Sequence, residues 1–232
     1  MKVKWYEFSS PQALARDLAN KVSGELAKAL SARNKALLAI SGGTTPRLFL
    51  EELSSTPIHW ERTAVTLADE RFVPPSSERS NARLALRHFF KNRASDAEFV
   101  PLYHSGSNID EAAERASKTI AALPLPLDVL VLGMGNDGHT ASLFPDAENI
   151  GELLATLDGP PVQPVVSEAA QEPRLTLSMP VLCAARAIFL HIEGDDKRAV
   201  LEQALAKKSN LPIRAVIERA GVPVHVYWAP KG

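Results

Sequence analysis

Three segments of this 232-residue chain place unusual residues directly after an apolar run. The longest is Gly133-Met134-Gly135-Asn136-Asp137-Gly138-His139-Thr140-Ala141-Ser142-Leu143-Phe144-Pro145. A polar pair on a glycine-rich loop at a strand end suits acid–base work, with a histidine to move the proton and a carboxylate beside it. Taken singly, Asp137 is an ordinary turn residue and His139 an ordinary capping or core histidine. Together on this loop they read better as catalysis. The segment formally contains Gly-x-Gly-x-x-Gly (Gly133, Gly135, Gly138), the dinucleotide fingerprint. Pro145 cuts the following helix short, and no strand ending in an acid follows about 20 residues on to meet a ribose. That reading is rejected.

The second segment is Ser41-Gly42-Gly43-Thr44-Thr45-Pro46, between a strand and a helix. Glycines let backbone approach a ligand, and a helix start offers unpaired N–H groups at a positive dipole end. With three hydroxyls added, the segment reads as a phosphate cradle rather than a plain tight turn. No Gly-Lys-Ser/Thr follows, so it is not a Walker loop. The third segment, Asp69-Glu70-Arg71-Phe72-Val73-Pro74, also follows a strand; its ordinary reading is a solvated charge cluster. Arg174 opens a strand, and Lys197 sits in the first turn of a helix after Gly194. A cation there opposes the helix dipole, which hints at a ligand anion.

Alternating elements must carry these loops. Leu14, Leu18, Val22, Leu26 and Leu30 recur four apart, which predicts an amphipathic helix from Pro11 to about Ser31. Ala36 to Ile40 and Leu127 to Leu132 are apolar runs suited to buried strands. Thr63 to Ala68, Arg174 to Leu177, Ala187 to Ile192 and Val222 to Tyr227 are further strand candidates. Helices are expected over Pro46 to Leu53 (Thr45 as N-cap, Pro46 first), Asn81 to Lys91, Ile109 to Leu123 and Asp195 to Lys207. Asp158 to Pro164 reads as a surface loop. Strands alternating with helices predict an α/β fold: a modified doubly wound, mostly parallel sheet with helices on both faces. Ligands of such sheets sit at the C-terminal strand ends. Nothing divides the chain, so one domain over residues 1–232 is expected.

Composition narrows the partners. Apolar residues make up 45%, and the net charge is -1 with no basic stripe, so nucleic acid is not expected. No apolar run approaches the ~20 residues of a membrane span, and the first residues resemble no signal peptide. Cytosol is the expected compartment, with a monomer or weak homo-oligomer. Cys183 stands alone in an apolar run and reads as core. There is no Gly-x-Ser-x-Gly elbow and no metal-ligand spacing, so neither a covalent serine nor a metal or other cofactor is expected.

In that order, Ser41 to Pro46, Asp69 to Pro74, Gly133 to Pro145 and the Gly194–Lys197 turn resemble the 6-phosphogluconolactonases over nearly the whole chain. The long Asp-Gly-His-Thr-Ala-Ser-Leu-Phe-Pro element is highly specific. The Ser-Gly-Gly-Thr element is shared with the glucosamine-6-phosphate deaminases of similar fold. The resemblance implies hydrolysis of a small sugar-phosphate lactone, 6-phosphoglucono-δ-lactone, in the oxidative pentose phosphate pathway. It implies His139 as general base, Asp137 as its neighbour and Arg71 facing the substrate. It also implies a binding set of Ser41, Gly42, Gly43, Thr44, Thr45, Asp69, Gly135, Arg174 and Lys197, with Asn81 and Arg214 less firmly carried. The deaminases have Asp-Glu-Tyr where this chain has Asp69-Glu70-Arg71, and a glutamate where it has Phe144. A lactone is an activated ester, so water and one base suffice. Loop N–H groups or Arg71 are both candidates to hold the oxyanion. A non-catalytic sugar-phosphate sensor would need a DNA-binding segment, and none fits before the first loop.

Overall fold

In the computed structural model the apolar runs become the centre of a parallel sheet; residues 2–106, 108–206 and 209–232 are described. In chain order the strands and helices are β1 (Val3–Glu7), α1 (Pro11–Arg33), β2 (Ala36–Ile40), α2 (Arg47–Ser54), β3 (Thr63–Leu67) and β4 (Asp69–Arg71). Next come α3 (Asn81–His88), β5 (Glu98–Val100), α4 (Ile109–Ala121), β6 (Val129–Leu132), α5 (Ile150–Ala155) and β7 (Val162–Val165). The last third holds β8 (Arg174–Leu177), α6 (Met179–Cys183), β9 (Ile188–Glu193), α7 (Asp195–Leu205), α8 (Pro212–Arg219) and β10 (Val224–Ala229).

Seven strands lie in the order β1-β10-β9-β6-β2-β3-β5, every pair parallel. Every residue of β2 and β6 is buried, as expected where both faces of a parallel sheet are covered. From β2 the chain works outward through β3 to β5, then returns to the other side of β2 as β6. The loops leaving β2 and β6 therefore diverge at a topological switch point, the place where such sheets hold ligands. The fold is the doubly wound α/β arrangement that the alternation predicts.

The four leucines and the valine of the first helix are all buried, and the Ser10 hydroxyl accepts from Ala13 N at 3.2 Å as its cap. Asp128, inside the run before β6, is buried because its carboxylate accepts from Leu37 N at 2.9 Å and pairs with Arg33.

Several expectations are corrected. The strand expected at Arg174 to Leu177 is β8, but it belongs to a separate antiparallel sheet, β4-β8-β7, and not to the parallel one. Part of the expected loop at Asp158 to Pro164 is β7. Ser117 fixes it, with its hydroxyl bonded to Val162 N and O, and Pro164 is tolerated because β7 is an edge. Thr45 does not cap α2. Pro46 itself takes the N-cap place with no side-chain bond, and its carbonyl accepts from Leu50 N at 2.8 Å. The helix expected over Asp195 to Lys207 ends at Leu205, and Lys207 lies outside the described residues. No helix of the described residues is long and apolar enough to cross a membrane.

Candidate active site

The divergence between β2 and β6 opens a cavity of ≈ 310 Å³. It is walled by Ser41 to Thr45 after β2, by Gly133 to Gly135 and His139 after β6, and by Asp69, Arg71, Arg174 and Lys197. Of the residues expected at a site, only Asp137 and Arg214 do not line it. Asp137 stands behind His139. Arg214 instead caps the end of α7, donating to Ala204 O at 3.1 Å and to Ala206 O, and pairs with Glu218 at 2.8 Å.

The loop after β6 is folded to hold one imidazole. Asp137 Oδ1 lies 2.5 Å from His139 Nδ1 and accepts from His139 N at 3.1 Å. An ionised carboxylate only accepts, so Nδ1 carries the hydrogen and Nε2 is left as the basic nitrogen. Gly135 donates its N–H to His139 O at 2.9 Å and lies against the pair. A Cβ there would fall 2.2 Å from the ring and 2.5 Å from the carboxylate, so only glycine fits. Burial alone would raise the Asp137 carboxyl. Its hydrogen bonds with His139 and the charge on that ring outweigh burial and hold it below the usual carboxylate range. This pairing therefore adds stability above that range and loses it as pH falls through the lowered value. The loop runs on through turns rather than a helix, and the next helix is α5. The Phe144 ring packs on His139 at 4.3 Å between centroids, and the Arg174 guanidinium lies over the Phe144 ring at 5.4 Å from its centroid.

The loop after β2 meets it at the base. Ser41 Oγ donates to Val131 O at 3.0 Å and accepts from Gly133 N at 3.3 Å, which ties the two loops together. Gly43 has φ 94°, open to glycine without strain. The N–H groups of Gly42, Gly43 and Thr44 make no hydrogen bond within the described residues, so this turn offers donors to a ligand. A Cβ on Gly42 would fall 1.9 Å from Asn81 Oδ1, so the turn is closed from behind by α3.

The third wall is built from charge. Arg71 on β4 and Arg174 on β8 are directly opposite partners, a like-charged pair that costs stability by itself. Glu172 offsets it, with its carboxylate 3.2 Å from Arg71 Nε and 3.8 Å from Arg174 Nη2, and a further contact to Arg79. Arg71 Nη1 also donates to Asn81 Oδ1 at 2.8 Å and Arg79 O at 2.6 Å. Arg174 is buried, its Nη2 donates to Ala170 O at 3.0 Å, and its Nε has no partner. Burial pushes its guanidinium down to about 10, against the pull of Asp69 and with Arg71 adding to the fall; it stays charged at neutral pH. Asp69 Oδ2 accepts from Ser142 Oγ at 2.6 Å, which joins this wall to the histidine loop. Glu70 faces inward, where it accepts from the N–H groups of Arg71, Asn81 and Ala82 at 2.7–2.8 Å and anchors the start of α3. Lys197, across the cavity, donates to Thr45 Oγ1 at 3.4 Å. Burial lowers its ammonium, which Glu193 opposes and Lys231 assists.

Sequence reasoning passed over four residues. Glu172, Ser142 and Glu70 also act on partners distant in the chain, Arg71, Asp69 and Asn81 respectively, and no local spacing marks those contacts. His191, another wall residue, was hidden in an apolar strand, where its polarity was the one available signal. Among the described residues no cluster of three or more His, Cys, Asp or Glu is placed to hold a metal.

A switch-point cavity with an Asp–His pair on one loop, a donor-rich glycine turn on the other and a cationic third wall is the site of an enzyme of the doubly wound α/β class. The family model described as glucosamine-6-phosphate isomerases/6-phosphogluconolactonase matches residues 9–228. The chain is 49% identical over 226 residues to a 6-phosphogluconolactonase of Mesorhizobium japonicum, covering 97% of this chain and 95% of that one. It is 46% identical to one of Rhizobium meliloti, covering 99% of this chain and 100% of that one. The crystal structure of a 6-phosphogluconolactonase from Shewanella baltica superposes with a TM-score of 0.95 at 38% identity, covering 98% of each chain. The chain belongs to the 6-phosphogluconolactonase family.

Proposed function

We propose that this pocket hydrolyses 6-phosphoglucono-δ-lactone to 6-phosphogluconate by general-base attack of water. The observation that carries the reading is the Asp137–His139 pair at 2.5 Å, held on Gly135 at the cavity wall. His139 Nε2 takes a proton as the water oxygen bonds to the lactone carbonyl carbon. The carbonyl π pair moves onto oxygen, returns, and expels the ring oxygen, which takes the proton back from Nε2 and becomes a hydroxyl. Asp137 keeps the ring in the tautomer this requires and stabilises the imidazolium between the two transfers. The free N–H groups of Gly42, Gly43 and Thr44, with Lys197 and Arg174, are the donors for the phosphoryl group. Arg71 faces the reacting end, held by Glu172 and Asn81.

Phe144 stands where deaminases carry a glutamate, and it packs on His139, so no second carboxylate is available there for ring opening. A net charge of -1 with no basic stripe argues for a small-molecule partner over nucleic acid, and the setting proposed is the cytoplasm, with the enzyme a monomer or weak homo-oligomer. The test generates the lactone in situ, with no added metal or nucleotide, and compares its loss with spontaneous hydrolysis. Rapid enzymatic loss is expected. Equal or faster deamination of glucosamine 6-phosphate overturns the choice of reaction, and activity that vanishes on chelation and returns with a divalent ion overturns its metal-free form.

A further inference from the structure

His191 has no part in the chemistry above, and its surroundings leave it incomplete. It lies near the C-terminal end of β9, only 3% exposed, and walls the same cavity as Lys197 and Thr45. Its Nε2 lies 3.1 Å from Glu193 Oε1, while its Nδ1 has no hydrogen-bond partner. Phe49 meets the ring edge-on, with centroids 6.2 Å apart, and offers nothing polar. Glu193 only accepts, so Nε2 carries the hydrogen and Nδ1 of the neutral ring is a bare lone pair. A buried polar atom without a partner costs stability, and few are retained without a use.

We propose that His191 contacts the phosphoryl end of the substrate through this free nitrogen, with Glu193 as its positioning partner. The inference rests on the sugar-phosphate reading above. Glu193 stands beside both His191 and Lys197, so one carboxylate serves two cationic groups at the same wall. The unbonded N–H groups of the Gly42–Thr44 turn open on the same cavity. A phosphoryl dianion repels a bare lone pair, so the contact needs one proton between nitrogen and oxygen. Solvent supplies it, either to Nδ1 or as the monoanion, and the net uptake is one proton either way. Glu193 on Nε2 then stabilises the imidazolium by a charge-assisted hydrogen bond. Of the charged groups at this wall, Glu193 on β9 touches the ring, and Asp196, Lys197 and Lys231 line the adjoining pocket with Glu193, while α2 meets the ring with Phe49. Anion binding at this wall therefore weakens as pH rises.

The test uses the full chain with His191→Gln, which keeps a donor for Glu193 and removes Nδ1. KM for the phosphorylated lactone should rise about tenfold with kcat within roughly threefold. The preference for it over unphosphorylated glucono-δ-lactone should fall by a similar factor. Sulfate, a dianion that does not titrate in this range, should inhibit the wild type less strongly as pH rises, and the variant weakly at every pH. A folded variant with unchanged KM and unchanged sulfate inhibition overturns the proposal, and so does an equal loss on both lactones. If the variant does not fold, the wild-type sulfate profile decides: inhibition independent of pH overturns it. Were the wild type inactive on the phosphorylated lactone, the functional reading would fail, while thermal stabilisation by sulfate, compared between wild type and variant, would still test His191.

Discussion

The seven-stranded and the three-stranded sheets reach the pocket with different materials. From the large sheet come backbone turns at strand ends, Ser41 to Thr45 after β2 and Gly133 to His139 after β6, set on strands whose every residue is buried. From the small sheet come long charged side chains, Arg71 and Arg174, facing each other across two short strands and restrained by Glu172. The large sheet positions its groups through apolar burial, which is non-directional and tolerant. The small sheet does it through buried ion pairs, where removing one partner leaves another uncompensated. Changing His139, on the loop after β6 of the large sheet, should therefore cost chemistry, and changing Arg174, on β8 of the small sheet, should cost binding.

The sharpest break is His139→Ala. It should lower the enzymatic rate by roughly 10²–10⁴ and abolish the rise of kcat/KM with pH that a base, neutral when active, imposes, with the fold intact and the melting curve lowered only by the lost Asp137 pairing. The assay subtracts uncatalysed hydrolysis at each pH. A folded variant with near-normal rate and the same limb would remove this histidine from the mechanism and the contrast with it.

On the other side, Arg174→Ala and Lys197→Ala should each cost about 1.5–3 kcal/mol in kcat/KM, through KM more than kcat. Lys197 tests whether the contrast is one of sheets or of charge, because it lies on α7 and not on the small sheet. An unchanged KM in both variants would move the phosphate elsewhere.

A smaller effect probes the restraint itself. Glu172→Gln removes the charge between two opposed guanidinium groups, so stability should fall by about 1–3 kcal/mol in a denaturant titration, and KM should rise. Added salt should recover part of the stability, since it screens the repulsion left between Arg71 and Arg174. A variant as stable as the wild type would show that the two arginines need no counter-charge.

The smallest effect expected is none. Cys183 is buried in α6, and burial pushes its thiol up to about 11, so it is protonated at neutral pH. A thiol reagent should leave activity intact until the chain unfolds. Fast modification with loss of activity in the native state would contradict its place in the core.

What the sequence disclosed follows the same division. The buried runs at Ala36 to Ile40 and Leu127 to Leu132, and the leucine spacing of α1, were legible because apolar burial imposes a local pattern. The glycine loops were legible because a tight approach permits few residues. The strands β4, β5 and β7 were not, being three or four residues long and partly polar. Their identity depends on partners such as Ser117 for Val162 and Leu175 for Glu70 that only the folded chain supplies. Asp158 to Pro164 read as loop because Pro160, Pro161 and Pro164 carry the turn signal, which edge pairing then overrode. Arg214 was misplaced for a similar reason: its guanidinium serves the last carbonyls of α7.

The strand order also fixes a timetable. β10 lies between β1 and β9, joining the first strand to the rest through Val3↔Val224 and Val224↔Ile188. As the chain leaves the ribosome, β1 has no sheet neighbour among the described residues until β10 emerges. The site loops after β2 and β6, in contrast, belong to strands that can already pair. Without β10 the sheet would end at β9, with one row of its N–H and C=O groups unpaired and open to another chain. Such non-local pairing is slow, because the loop must close before any contact rewards it. The arrival of β10 thus covers the edges of β1 and β9 in one step.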